Sequence, residues 1–130
     1  METKKTFKKI EGANLLRGFA RYGLLAIGLV TFLFSLVSGS EAYGGGISGI
    51  VQNSPNAIPW IALLIALFVA WKNELLGGSI ILLLGITLVA RSNFGGPNFF
   101  VVTFILTSLI SLLGAFFLGS WYLRKNQLVK

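Results

Sequence analysis

The sequence contains no cysteine and no histidine among its 130 residues, and only 4 aspartate or glutamate residues. Without cysteine the chain has no disulfide, no thiol redox chemistry and no thiolate metal site. Without histidine it lacks the commonest general base and the commonest metal ligand. The few carboxylates are scattered, so they do not form the paired acid and base that a catalytic site needs. We therefore predict no catalytic residue, no metal, no cofactor and no enzymatic activity.

Charged residues are also scarce, at 12% of the chain against about 25% in ordinary soluble domains. In contrast, 55% of the residues are hydrophobic, and the mean hydropathy is +0.81. The net charge of +7 would suit nucleic acid, but the lysines and arginines lie at the ends of apolar runs. We therefore expect a lipid bilayer with anionic headgroups as the partner, and no nucleic acid.

Four apolar runs predict membrane-spanning helices, since a span needs roughly 20 apolar residues. The predicted spans are residues 22–38, 57–71, 75–90 and 99–123 of a single domain, with a basic lead (1–21) and a basic tail (124–130). This predicts an all-α fold, an antiparallel up-down bundle of four transmembrane helices. The second and third spans are short, at roughly 23 Å, so we expect interfacial side chains and local thinning of the bilayer to make up the difference. A re-entrant hairpin is the alternative.

Two segments outside the spans have alternative interpretations. The basic lead is either a frayed tail that sets the topology or a segment that lies in the headgroup plane, because apolar residues alternate with its lysines. The connection at residues 39–56 contains Gly44-Gly45-Gly46 and Pro55, which are typical of a plain loop. A phosphate-binding loop is the alternative, although no lysine and no strand–loop–helix frame accompany the glycines.

The distribution of positive residues predicts the orientation. The lead, the Lys72 turn and the tail share one side of the bundle and contain all the lysines and arginines except Arg91. By the positive-inside rule, both termini are cytoplasmic, in the cell (inner) membrane of a bacterium. The alternative is a signal peptide cleaved near Ser38–Ala42, which would leave three spans.

Functional ionisable groups usually lie at mid-depth in a membrane, where they are costly, and none of the predicted spans contains one there. Glu74, at a span boundary, is therefore the best candidate for a functional carboxylate. Asn73 before it is suited to be the N-cap of the third span. In the first helical turn Glu74 would complement the helix dipole, so we favour a structural role over proton or cation binding.

Small and hydroxylated residues recur at helical spacing on three of the spans. Such stripes allow close helix packing and hydroxyl hydrogen bonds in lipid, so we favour a packing seam over a polar path. The predicted packing residues are Gly28, Thr31, Ser35, Gly85, Thr103, Thr107 and Ser111.

The segment Trp71-Lys72-Asn73-Glu74-Leu-Leu-Gly77-Gly78 resembles the W-x-W-E-L-I-G-G signature of small four-span bacterial and archaeal membrane proteins of unknown function. Asn73 stands where that signature has a second tryptophan. The resemblance implies four helices with cytoplasmic termini and supplies no activity. Its residues, namely Trp71, Lys72, Glu74, Gly77 and Gly78, are the candidate functional positions.

These observations predict a membrane protein that acts by association, as an accessory or regulatory subunit of a membrane-protein partner or as a homo-oligomer. The small-residue stripes favour this function. The alternative is a small transporter or channel formed by oligomerisation, with hydroxyl groups and Glu74 at its pore.

Overall fold

The computed structural model describes residues 2–128, and the side chains of residues 2–126. Within this part of the chain there are helices and turns but no strand, so the predicted all-α fold is confirmed. The helices are α1 (Glu2–Val37), α2 (Gly46–Asn53), α3 (Ile58–Lys72), α4 (Glu74–Phe94) and α5 (Val101–Leu128). Two short 3-10 turns, Ser40–Tyr43 and Ser54–Ala57, flank α2. Four helical segments are long and apolar enough to cross a membrane.

Helix α1 is much longer than the predicted first span. It runs for 36 residues, which corresponds to about 54 Å. From Glu2 onward the basic lead is therefore helical and continuous with the first membrane-capable helix, so the prediction of a frayed tail was wrong. The lead has no proline and is rich in lysine and arginine, which are good helix formers.

The predicted loop at residues 39–56 is mostly helical. Its glycines make the turns, because Gly39, Gly44, Gly45 and Gly46 all have φ between 66° and 95°, a region that side chains other than glycine rarely occupy. Helix α2 and the turn after it lead directly into α3, so the apolar helical segment covers Gly46–Lys72, with 27 residues. Helix α4 has 21 residues. Helix α3 alone has 15 residues and matches the predicted second span, and it is α2 and the turn after it that lengthen the apolar segment. Helix α4 is longer than the predicted third span at residues 75–90.

The four long helices form a bundle in which each neighbour in the ring α1–α3–α4–α5 contacts the next. Fully buried side chains from every helix, among them Leu24, Leu63, Ile81, Ile110 and Phe117, form the core. Helices α4 and α5 approach closely, since a Cβ at Gly85 would lie 2.7 Å from the backbone nitrogen of Ser111. Close packing of small residues replaces the hydrophobic effect, which does not act between helices in lipid.

The bundle has two chemically different ends. At the basic end, α1 carries Arg17 and Arg21, the turn between α3 and α4 lies beside them, and α5 carries Arg124. At the opposite end, which we call the hydroxyl end, α1 and α4 finish and α3 and α5 begin. Asn73 alone connects α3 to α4, and its side chain caps α4 by accepting a hydrogen bond from the Leu76 N–H at 3.1 Å. This tight turn places Glu74 against α1 and α5.

Candidate functional site: a buried carboxylate between three helices

The Glu74 carboxylate is the centre of the basic end. Its side chain is only 8% exposed, although it belongs to the first turn of α4. The Nε atom of Arg17, on α1, donates a hydrogen bond to Oε1 of Glu74. The Nε atom of Arg124, on α5, lies 3.9 Å from Oε2. One carboxylate therefore joins three helices, and its burial is compensated by two cations and by the dipole of α4.

Neutral side chains complete the link between α1 and α5. Nη2 of Arg124 donates to Oδ1 of Asn14, and Nε of Arg124 lies 3.4 Å from Oγ of the fully buried Ser120. The Arg124 guanidinium is thus held from three directions, by Glu74, Asn14 and Ser120. Its planar array of donors suits this geometry better than a lysine ammonium would.

A second arginine joins α1 to α3. Nη2 of Arg21 donates to the backbone oxygen of Trp71 at 3.1 Å, one of the carbonyls that the end of α3 leaves without a helical partner. The Arg21 guanidinium also lies 4.9 Å from the centre of the Trp71 ring, as in a cation–π contact. Tyr22 packs edge-on against the same ring at 6.3 Å. Arg21 therefore anchors the end of α3 to α1.

The charges of this cluster limit its chemistry. Arg17, Arg21 and Arg124 outnumber Glu74, which leaves a formal excess of two positive charges. Arginine does not deprotonate in proteins, so the cluster has one titratable carboxyl group, and that group is already engaged by arginine. Among the residues that the structure describes, no three His, Cys, Asp or Glu side chains come together as a metal site. The arrangement is suited to holding helices together and to attracting anions.

The residues of the W-x-W-E-L-I-G-G-like segment do not act as one group. Trp71 and Glu74 face the arginines, whereas Lys72 is exposed and places its ammonium 4.9 Å from the Phe68 ring. A Cβ at Gly77 would lie 2.2 Å from the Ala70 backbone, so Gly77 allows α3 and α4 to touch immediately after their turn.

Gly78 has a related role on the other side of α4. A Cβ there would lie 2.8 Å from Cβ of Phe117 on α5. The two glycines thus sit at two interhelical contacts, while the aromatic and acidic residues of the segment belong to the charged cluster.

The predicted packing residues divide in the same way. Gly28 faces the Leu64 side chain, and Gly85 faces Ser111, at contacts between helices inside the bundle. The other four predicted packing residues line a cavity at the hydroxyl end: Thr31, Ser35, Thr103 and Thr107.

Sequence reasoning did not identify the partners of Glu74. Arg17 precedes it by 57 residues, and Arg124 follows it by 50, so no local pattern connects them. The only signal in the sequence was that Arg17 lies in the basic lead and Arg124 begins the basic tail, two segments predicted on the same side of the membrane. Several lysines share that property, and only the packing of the helices selects Arg17 and Arg124.

Comparison with known protein families gives a match that covers nearly the whole chain. The family described as Domain of unknown function (DUF7670) matches residues 7–129. No curated protein and no solved structure matches. The family match supports the predicted kind of protein without testing the W-x-W-E-L-I-G-G-like signature itself. A small multi-pass protein with four membrane-capable helices and an arginine-bound carboxylate, this chain belongs to the DUF7670 family of unknown function.

Proposed function

We propose that this protein is a non-enzymatic subunit of the cell membrane that acts by binding a protein partner through the basic amino-terminal part of α1, on the cytoplasmic side. The observation that carries the proposal is that α1 continues as a helix well beyond the bundle. Residues 2–12 of this extension are exposed, except that Thr6 and Gly12 are partly covered. We refer to residues 2–12 as the α1 extension.

The α1 extension presents a mixed basic and apolar surface. Lys4, Lys5, Lys8 and Lys9 are exposed on it, and the Phe7 side chain is 75% exposed. Ile10 follows Phe7 by three residues, so the two apolar side chains are neighbours on the helix surface. Aromatic side chains are enriched at the core of protein contacts, and the rim of such contacts is polar and solvent-accessible, so Phe7 suits the centre of a contact and the lysines suit its rim.

The helical continuation of α1 favours a protein partner over lipid for these lysines. Lys9 precedes Arg21 by twelve residues, which is about 18 Å along the helix axis, and Lys4 lies further still. Attraction between exposed charges is screened over about 8 Å at physiological salt. Anionic headgroups therefore suit Arg17, Arg21, Lys72 and Arg124 at the basic end, whereas the lysines of the α1 extension are better matched by an acidic protein surface.

The small-residue stripes give less support to association than the sequence alone suggested. Gly28, Gly78 and Gly85 are occupied by contacts inside one bundle, so they do not form a seam for another chain. The proposal of an accessory or regulatory subunit therefore depends on the α1 extension.

The test is cross-linking in native membranes followed by purification in mild detergent, with every protein in the complex identified and counted. We compare the wild type with a variant in which Lys4, Lys5, Lys8 and Lys9 are changed to glutamine. The matched control is Arg91→Gln, an exposed cation at the hydroxyl end. A stoichiometric foreign partner that is lost with the lysines, and retained in the control, supports the proposal. A complex that contains only copies of this chain shows a homo-oligomer instead, and a partner unaffected by the lysines refutes docking on the α1 extension.

Transport or channel activity is the second candidate, because hydroxyl groups do gather in one cavity. Glu74 lies at the other end of the bundle, however, and fully buried Leu24, Leu63 and Ile110 are part of the core between them. Flux assays in liposomes on the wild type and Glu74→Gln distinguish the two functions. Loss of a measurable flux in the variant supports transport, whereas a variant that changes only in thermal stability leaves transport without its one ionisable group.

A further inference from the structure

The hydroxyl end contains a cavity of about 330 Å³ between α1, α3, α4 and α5. Its mouth is formed by the exposed residues Ser38, Asn56 and Ser92, and its floor by the buried Thr31 and Thr107. Thr31 and Ser38 are seven residues apart on α1, so the cavity descends about 10 Å into the bundle. At roughly 30 Å³ for each water-sized group, it has room for about ten such groups.

The cavity wall presents hydrogen-bond acceptors. The Thr31 hydroxyl donates to the Ile27 carbonyl of its own helix, and the Thr107 hydroxyl donates to the Thr103 carbonyl at 2.8 Å. Ser35 likewise donates to a carbonyl of its own helix. A hydroxyl group has one proton and two lone pairs. These hydroxyls have therefore used their protons and offer only lone pairs to a bound molecule.

A buried amide next to the cavity needs a donor as well. Asn93 is 3% exposed, and its Nδ2 donates to Oγ1 of Thr107, on the cavity floor, at 3.4 Å. Its Oδ1 is buried and has no hydrogen-bond partner among the described residues. Buried polar atoms are nearly always paired, and this unpaired oxygen belongs to the residue that donates to Thr107, directly behind the cavity floor.

The wall favours a neutral molecule over an ion. None of the side chains that line the cavity is ionisable, and an uncompensated charge at this depth would be costly. Helices α1 and α4 end here while α3 and α5 begin, so the helix dipoles oppose one another and give no net preference for either sign.

We propose that this cavity binds a neutral polyhydroxyl group of about ten non-hydrogen atoms, with its hydroxyl groups donating to the hydroxyl oxygens of Thr31, Ser35, Thr103 and Thr107. The side chains of Trp60 and Leu106 supply the apolar wall against which the carbon skeleton of the ligand packs. Such a group occurs both in free sugars and in the neutral sugar headgroups of glycolipids. The floor is closed by the buried core, so the cavity is a binding site at one face and not a passage.

Trp60 makes the site measurable. The chain has 3 tryptophans, and Trp71 and Trp121 can be changed to phenylalanine, so that fluorescence reports on the cavity wall alone. The protein is reconstituted in nanodiscs and titrated with glucose, and separately prepared in nanodiscs with increasing monoglucosyl diacylglycerol. Thermal unfolding of the unmodified protein with the same two probes gives a second readout that does not depend on the tryptophan substitutions.

The expected result is a saturable change in Trp60 emission. In Thr103→Val/Thr107→Val we expect the dissociation constant from this titration to be at least tenfold higher. The matched control is Thr87→Val, because Thr87 is exposed and also donates to a carbonyl of its own helix, that of Leu83, at 2.8 Å. Ser35→Ala is a milder test if the double variant does not fold. A response to glucose assigns the site to a free sugar, and a response to the glycolipid alone assigns it to a headgroup. Three results would overturn the proposal. They are no saturable response to either probe up to about 100 mM glucose, an equal loss of binding in Thr87→Val, and a response that appears only when sodium chloride is added in place of the probes.

Discussion

At the basic end the helices are joined by charged side chains, whereas at the hydroxyl end they are joined by neutral ones. Arg17, Glu74 and Arg124 connect α1, α4 and α5 at the first. At the second, Nδ2 of the buried Asn53 lies 2.9 Å from the Ser35 carbonyl and 3.0 Å from the Leu36 carbonyl, and it also donates to that of Ser38.

The difference shows how each end satisfies buried polar groups. An arginine at a helix end can keep part of its guanidinium in water while it pairs with a carboxylate, and Arg17 and Arg124 are 28% and 25% exposed. Asn53 is 1% exposed, and a charge there would have no such access to water. A neutral amide satisfies the last carbonyls of α1 without the cost of burying an ion.

The largest effect that we predict is that of Gly77→Ala. This variant tests whether the turn at the basic end depends on close packing as much as on charge. In Gly77→Ala the new Cβ would lie 2.2 Å from the Ala70 backbone, which cannot move aside like a side chain. We expect a loss of about 3 kcal/mol or more in the free energy of unfolding, measured by thermal or denaturant unfolding in detergent.

The control is Gly12→Ala, where a Cβ meets nothing within 4 Å and alanine is the better helix former. That variant should be unchanged or slightly more stable. If both variants behave alike, the close approach of α3 and α4 is not required for stability.

The second prediction breaks the charged link itself. Glu74→Gln removes the anion between Arg17 and Arg124, and we expect a loss of about 2 kcal/mol, below the usual value for a fully buried pair because both arginines are partly exposed. A double-mutant cycle with Arg17→Gln should give a smaller loss than the sum of the two single changes. Additive losses would mean that the pair has no mutual interaction energy, and Glu11→Gln serves as the exposed control.

The third prediction concerns the neutral link at the hydroxyl end. Asn53→Ala leaves carbonyls of α1 without their donor, and we expect a loss of about 1 kcal/mol. Asn53→Asp should be worse, because it turns a carboxylate oxygen toward three carbonyl oxygens. Unfolding of both variants is compared with that of Gln52→Ala, whose side chain is exposed on the same helix. Equal stability of all three would show that water replaces the amide at no cost.

The smallest effect is expected from the lysines of the α1 extension. Changing Lys4, Lys5, Lys8 and Lys9 to glutamine together should alter the unfolding free energy by less than about 0.5 kcal/mol, because exposed charges contribute little. A larger loss, measured by the same unfolding assay, would place the extension within the folded core and would weaken the proposal that it is reserved for a partner.

Much of this fold could be predicted from the sequence. Apolar runs predict four membrane-capable helices, because in lipid the backbone must satisfy its own hydrogen bonds. Asn73 was also correctly predicted as the N-cap of α4, since capping depends on residues close in sequence. The lengths of the helices were less predictable: α1 begins at Glu2 and the α2–α3 segment at Gly46. Polar and glycine-rich stretches can be helical when neighbouring segments support them, and hydropathy alone does not register this.

The sequence by itself determined that the helices of this protein are suited to lipid, how many of them could cross a membrane, and which types of chemistry its side chains can perform. Those properties follow from composition and from patterns within about twenty residues. Only the tertiary structure decided that Glu74 meets Arg17 and Arg124, and that Thr31 and Thr107 face one cavity. Those contacts join residues between 50 and 76 positions apart in the sequence, and such partners are selected by the packing of whole helices and not by any local preference.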